Sequence, residues 1–184
     1  MGFNIVLDLD GSIIAIEDRV NFPIPRPYVS EFLQFCFDKF DNVGIWTAAS
    51  DGWAYEVIER LFTPEQKKKL AFIWTEEKCD SDIRGYVLKP LKKIWNNPKL
   101  KKKGFNRHNT IILEDNHKNC KKNYGNNIIV KPYKVNLEMA GDPTLLKLMG
   151  FLETYVFDER SNKKRGGRKH SHRHINFLDW GLHR

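Results

Sequence analysis

The sequence predicts an α/β domain: a central, mostly parallel sheet flanked on both faces by helices. Three observations carry that expectation. Short apolar runs at Phe3–Leu7, Val43–Thr47, Asn109–Leu113 and Asn127–Val130 have strand length and read as buried strands. Segments with apolar residues at helical spacing alternate with them. Polar residues gather where three of the runs end, and parallel strands bring such ends to one edge of a sheet.

The elements follow in order. After the first strand and Ile13–Ile16, Pro23, Pro25 and Pro27 keep the chain out of a helix until Tyr28. From there Val29, Phe32, Leu33, Cys36 and Phe40 lie at helical spacing, with Ser30 as a candidate cap. Val43–Thr47 is the second strand. Ala54–Phe62 reads as a helix with Tyr55, Ile58, Leu61 and Phe62 to one side. The Lys67-Lys68-Lys69 run is polar, Leu70–Trp74 reads as a strand, and Leu91–Trp95 as a short helical piece. The third strand, Asn109–Leu113, leads into Glu114-Asp115-Asn116, and Asn127–Val130 is the fourth. Leu145, Leu148, Met149, Leu152 and Val156 mark the last core helix, over 145–155.

Composition changes after Phe157, so a domain is expected over 1–157 and a basic tail over 158–184. The tail holds eight Lys/Arg against three acids, and four of the six His. The whole chain carries a net charge of +8, which suits an acidic partner such as a phosphoprotein, a nucleic acid or an acidic lipid surface, or else a generally Lys-rich surface. Lys (21) outnumbers Arg (10) and Asn is abundant (15), the bias of an AT-rich genome such as that of a large DNA virus or a protist. Three cysteines, Cys36, Cys79 and Cys120, form no Cys-x-x-Cys pair and argue against a disulfide scaffold. Asp8 and Asp10 interrupt the first apolar run too early for a secretory signal, and no run approaches the roughly 18 apolar residues of a membrane span. Val6 stands where an N-myristoylation signal on Gly2 needs Ser or Thr. The expectation is an intracellular protein, nuclear or cytoplasmic, with no membrane partner.

The first strand ends in Asp8-Leu9-Asp10-Gly11-Ser12. Two carboxylates spaced i and i+2 leave an extended backbone on the same side and repel one another, so they need a cation or a proton. An aspartate that attacks phosphorus, a second that moves protons and a Mg²⁺ that holds the charges fit that pattern. A solvated Asp-x-Asp-Gly turn fits it too. Thr47, at the end of the second strand, offers a hydroxyl with the backbone N–H of Ala48 nearby to grip a phosphoryl oxygen, or it caps the following helix. Asp115 and Asn116, with Glu114, offer oxygen ligands for Mg²⁺, or form a polar loop. Lys89 stands alone among apolar neighbours before Pro90, as a cation for a phosphoryl group or as a snorkelling surface lysine.

Taken in order, these segments resemble the haloacid dehalogenase superfamily of aspartate-nucleophile phosphatases, and within it the small phosphatases of the RNA polymerase II C-terminal domain, the NLI-interacting-factor family. The family's Asp-x-Asp-x-Thr/Val is matched by Asp8–Ser12. Its Arg-Pro-x-Val-x-Glu-Phe-Leu is matched by Arg26–Leu33, and its Thr-Ala-Ser by Thr47-Ala48-Ala49-Ser50. Its Cys-containing Tyr-Val-Lys-Asp-Leu segment is matched from Cys79 through Tyr86-Val87-Leu88-Lys89-Pro90-Leu91, with one extra residue before the lysine. Its Ile-Leu-Asp-Asn is matched by Ile112-Leu113-Glu114-Asp115-Asn116, with Glu114 inserted. The resemblance covers residues 3 to 157. Ser12 replaces the usual Thr, Gly11 the frequent Glu, and Pro90 the acid after the lysine.

The resemblance implies a Rossmann-like fold without a large cap, and a Mg²⁺-dependent phosphoric monoester hydrolase working through an aspartyl phosphate. Asp8 is then the nucleophile and Asp10 the acid–base. Mg²⁺ is held by Asp8, the Asp10 carbonyl, Asp115 and Asn116, and the phosphoryl group by Thr47, Ala48 and Lys89. The implied substrate is phosphoserine or phosphothreonine in a protein such as the polymerase C-terminal domain. The rivals are a small-molecule or nucleic-acid phosphatase, and a catalytically silent phosphoprotein-binding module. Trp74 or Tyr86 is expected to line the substrate groove, the alternative being that they pack in the core. Lys163–His174 in the tail is a candidate nuclear signal or nucleic-acid contact, or a solvated tail.

Overall fold

The computed structural model describes residues 2–15, 22–123, 125–135 and 141–157, and the tail and its expected contacts lie outside them. In chain order the elements are β1 (Asn4–Leu7), α1 (Val29–Lys39), β2 (Asn42–Trp46), α2 (Asp51–Leu61), α3 (Pro64–Lys69), β3 (Ile73–Trp74), β4 (Asp80–Ser81) and β5 (Val87–Leu88). Then come α4 (Lys92–Asn96), α5 (Pro98–Lys102), β6 (Thr110–Glu114), β7 (Asn127–Ile129) and α6 (Thr144–Leu152), which runs into a π-helical turn at Glu153–Phe157. Five strands form one sheet in the order β3-β2-β1-β6-β7, every pair parallel, while β4 and β5 make a separate antiparallel hairpin. The chain starts at the centre, steps outward through β2 and β3, then crosses back to lay β6 and β7 on the other side of β1. That reversal opens a crevice at the carboxyl edge between β1 and β6, where open α/β sheets bind ligands. Among the described residues, the segment between β2 and Lys89 is two helices, a two-residue edge strand and the hairpin, with no separate cap domain.

The absence of alternation in the strands follows from burial on both faces. Ile5 and Leu7 join Val43, Ile45, Ile111, Leu113 and Ile128 in a core closed by α1, α2 and α6. Val6, Trp46 and Ile112 point the other way, onto Leu91, Ile94, Leu100 and Phe105. On this second face Trp46, Trp74, Phe72 and Phe105 stack edge to face or tilted, with centroids 5.0–5.6 Å apart. Gly44 makes room for them, since a Cβ there would meet the Phe72 ring at 2.3 Å. Among the described residues no helix is long and apolar enough to cross a membrane.

Several local expectations are corrected. Helix α1 is entered through Tyr28, not capped by Ser30. Arg26 C=O accepts from Val29 N–H at 3.2 Å, and Tyr28 has φ 66, so Arg26–Val29 forms a turn with Pro27 second and a left-handed residue third. Helix α2 begins at Asp51 rather than Ala54. The lysine run belongs to a helix, α3, opened by a capping box in which Thr63 and Gln66 each bond the other's backbone N–H, with Pro64 in the first turn. The Leu70–Trp74 strand pairs only at Ile73 and Trp74.

The loop after β1 is held by a buried arginine. Arg26 Nε and Nη2 reach Asp142 Oδ2 at 2.8 and 2.7 Å, Nη1 donates to the carbonyls of Ser12 (3.0 Å) and Gly11 (3.3 Å), and Nη2 donates to that of Lys131 at 3.0 Å. Asp142 Oδ1 accepts from the Thr144 N–H and hydroxyl, opening α6. Burial by itself would raise the Asp142 carboxyl, but Thr144 and the Arg26 guanidinium outweigh it and hold it below its ordinary 3.8. Its contribution is therefore present above about pH 3.8 and is lost as acidification passes through the lowered value. Asp142→Ala strands a buried guanidinium and should cost about 3–5 kcal/mol in denaturant unfolding at neutral pH. The deficit should shrink below pH 3.8, where the wild type loses the same carboxylate.

Candidate active site

Asp8 leaves β1 one residue beyond the Leu7↔Leu113 pair and donates its N–H to the Leu113 carbonyl at 3.1 Å. That register puts it beside Glu114, the last residue of β6. Its carboxylate is held at both oxygens: Lys89 Nζ lies 2.5 Å from Oδ1, and the Ser12 hydroxyl donates to Oδ2 at 2.9 Å. The chain then turns tightly, the Leu9 carbonyl accepting from the N–H groups of Ser12, Ile13 and Ile14. Gly11 sits at φ 78, a conformation that favours glycine, which accounts for Gly at this position.

Asp10 faces α2. Its Oδ1 accepts from the Trp53 indole N–H at 2.8 Å, and its Oδ2 lies 3.4 Å from the Thr47 hydroxyl. Thr47 Oγ1 accepts from Ala49 N–H at 3.0 Å, at the entrance to α2.

Lys89 is 1% exposed. The hairpin delivers it, and two asparagines fix its backbone. The Asn119 carbonyl accepts from Lys89 N–H at 2.9 Å, and Asn123 bridges Lys89 C=O (3.1 Å) and Leu91 N–H (2.9 Å) across Pro90, which has no N–H to offer. The ammonium lies between Asp8 and Glu114, 2.8 Å from Glu114 Oε2. Asn119 Nδ2 donates to Glu114 Oε1 at 3.2 Å. Burial alone would make the ammonium easier to deprotonate, but the two carboxylates outweigh it and keep it charged.

Asp8, Glu114 and Asp115 each bring a carboxylate oxygen within 4.8 Å of the others. Burial and then the Asp8 charge push Glu114 up to about 8, against the pull of Lys89, and the same two causes raise Asp115. Three carboxylates facing one ammonium leave a surplus of two negative charges when all are ionised. Hard oxygen donors with that surplus fit a divalent cation such as Mg²⁺. Asn116 lies at the rim of this cluster with Oδ1 accepting from Lys118 N–H at 3.1 Å.

One cleft of about 330 Å³ at the carboxyl edge is lined by Asp8, Asp10, Thr47, Ala48, Lys89, Asp115 and Asn116, together with Ala49, Glu114 and Asn119. All seven residues picked from the sequence therefore converge there. Trp74 and Tyr86 are not among the lining residues. Trp74 packs against Trp46 and Phe72, and Tyr86 lies on the hairpin beneath the Lys118 and Lys121 ammonium groups, 4.4 and 5.1 Å from its ring centre. The aromatic residue that touches the constellation is Trp53. Glu114 enters the acidic cluster in its own right, whereas the motif match treats it as an insertion before Asp115-Asn116.

Residues 3–163 match the model of the NLI interacting factor-like phosphatase family. The chain belongs to this family. Membership places it among the phosphoric monoester hydrolases. A CTD phosphatase-like protein, 355R of Invertebrate iridescent virus 6, is 33% identical over 137 residues, which are 71% of this chain and 74% of the relative. The Danio rerio ubiquitin-like domain-containing CTD phosphatase 1 is 29% identical over 157 residues, 81% of this chain but 48% of its own length. This chain thus spans about half the length of the ubiquitin-like domain-containing relatives. The structure of Fcp1, an RNA polymerase II CTD phosphatase, superposes with a TM-score of 0.59 at 17% identity, covering 96% of this chain and 68% of the other. CbbY of Rhodobacter sphaeroides superposes at 0.50 with 11% identity, covering 77% and 92%. These likenesses establish the haloacid dehalogenase fold.

Within this NLI interacting factor-like domain, Lys89 is the counter-ion of a buried acidic cluster. Lys89→Met should lower the unfolding free energy of metal-free protein by about 3–5 kcal/mol at neutral pH. Because protonated carboxyls need no counter-charge, the deficit should narrow on acidification, as followed by urea unfolding from pH 8 to 5.

Proposed function

We propose that the chain is a Mg²⁺-dependent phosphatase acting through an aspartyl phosphate on Asp8, with phosphoserine or phosphothreonine in a protein as substrate. The observation that carries this reading is the Asp8 carboxylate, pinned by Lys89 and Ser12 at the crevice edge with Asp10 two residues on. In the first step an Asp8 oxygen forms a bond to phosphorus as the bond to the leaving oxygen breaks, and Asp10 gives that oxygen its proton. In the second, water attacks the same phosphorus, Asp10 takes its proton, and Asp8 is released with inorganic phosphate. The Lys89 ammonium, the Thr47 hydroxyl and the Ala48 N–H bind the phosphoryl oxygens and stabilise the charge spread over them. Mg²⁺ would be held by Asp8, the Asp10 carbonyl, Asp115 and Asn116, with Glu114 as a further carboxylate, and when bound it supplies fixed positive charge beside the phosphoryl group. A cleft with no cap domain among the described residues suits a macromolecular substrate, and the relatives named CTD phosphatases point to the repeats of the polymerase C-terminal domain.

Hydrolysis of p-nitrophenyl phosphate and of a phosphoserine heptad peptide, with Mg²⁺ and after chelation, tests the reading. Turnover should require Mg²⁺, vanish in Asp8→Asn with the fold intact by circular dichroism, and fall about 10²–10⁴-fold on the peptide in Asp10→Asn. Turnover by a folded Asp8→Asn protein would exclude the aspartyl phosphate.

A further inference from the structure

Trp53 is the third residue of α2 and packs half-buried against the main core. It is not among the residues that line the cleft, and its indole N–H donates to Asp10 Oδ1 at 2.8 Å. An indole N–H is a donor only, so the oxygen it meets must accept. The other oxygen, Oδ2, meets the Thr47 hydroxyl at 3.4 Å, too long for a strong bond. Thr47 and Asp10 both line the cleft. The two oxygens of Asp10 are therefore not equivalent: one is tied to the indole, and the other has a long contact with a residue of the cleft.

We propose that Trp53 is a positioning residue that commits Asp10 Oδ1 to an internal hydrogen bond, so that the acid form of Asp10 carries its proton on Oδ2 and donates it from there to the leaving oxygen. The proposal rests on the phosphatase reading above. In the first step the proton on Oδ2 passes to the leaving oxygen as its bond to phosphorus breaks and the Asp8 oxygen–phosphorus bond forms. In the second, the ionised Asp10 takes a proton from the attacking water as the phosphorus–Asp8 bond breaks. A carboxylate accepts through whichever oxygen faces the water, so this step does not depend on the indole. Without the indole N–H both oxygens are free, the carboxyl rotates, and the proton spends part of its time on the wrong side. The loss falls on substrates whose leaving group needs a proton. A serine alkoxide needs one, whereas p-nitrophenolate leaves without it.

The test is Trp53→Phe, assayed with Mg²⁺ on the phosphoserine peptide and on p-nitrophenyl phosphate. A second variant replaces the indole by benzothiophene, which keeps the double ring and deletes only the N–H. The expected result in both variants is a kcat on the peptide lowered about 10-fold or more, with KM and p-nitrophenyl phosphate turnover within about twofold of wild type. In an Asp10→Asn background Trp53→Phe should then have no further effect on the peptide. Equal losses on the two substrates, no loss on either, or an additive loss in the Asp10→Asn background overturns the proposal while leaving the phosphatase reading in place. A wild type that hydrolyses neither substrate overturns both.

Discussion

A lysine ammonium enclosed between two carboxylates is the constraint around which this domain is organised. A buried charge is costly unless it is paired and hydrogen-bonded. Lys89 meets that condition only if the carboxyl ends of β1 and β6 and the loop after the hairpin arrive at the same point. The parallel register of β1 with β6 brings Asp8 and Glu114 side by side. Asn119 and Asn123 bind the backbone around Lys89 and the Glu114 carboxylate, so the cation cannot drift from its partners. The same arrangement that makes the cluster tolerable without metal leaves it short of positive charge. That shortfall is what a divalent cation would offset.

The second organising group is Arg26, which acts on backbone rather than on the reacting atoms. It gathers carbonyls from the loop after β1 and from the segment after β7, and locks them to Asp142 at the start of α6. The loop after β1 is thereby held on one side by a guanidinium and on the other by the Lys89–Ser12 grip on Asp8. A tight turn with a left-handed glycine at Gly11 survives because both ends are fixed.

Much of this was legible in the sequence, and the exceptions have physical reasons. Each of the four apolar runs became a strand, because two-sided burial leaves an unmistakable pattern, and the ends of three of them brought polar groups to the cleft. The identity of the second carboxylate was not legible. Ile5-Val6-Leu7-Asp8 and Ile111-Ile112-Leu113-Glu114 can be laid side by side, but the stagger of two parallel strands is set by packing across the sheet rather than by either string. Trp53 was hidden because its partner lies 43 positions away and because α2 starts earlier than its apolar spacing suggests. Helix α3 did carry a local signal, Thr63-Pro64-Glu65-Gln66, which the lysine run obscured. The hairpin has two residues per strand, too few for any periodicity. Asn119 and Asn123 were lost among the many other asparagines of the chain.

The Arg26–Asp142 pair joins positions separated by 116 residues. A ribosome releases this chain from its N-terminus, so the Asp-x-Asp turn emerges first and waits through most of synthesis for the group that locks it. Lys89, Glu114 and finally Asp142 follow in that order. A nascent chain halted anywhere before the last of these carries the Asp-x-Asp turn without its clamp. The turn can therefore reach its locked form only after translation has passed Asp142, so the first segment of the fold to be made is among the last to be fixed.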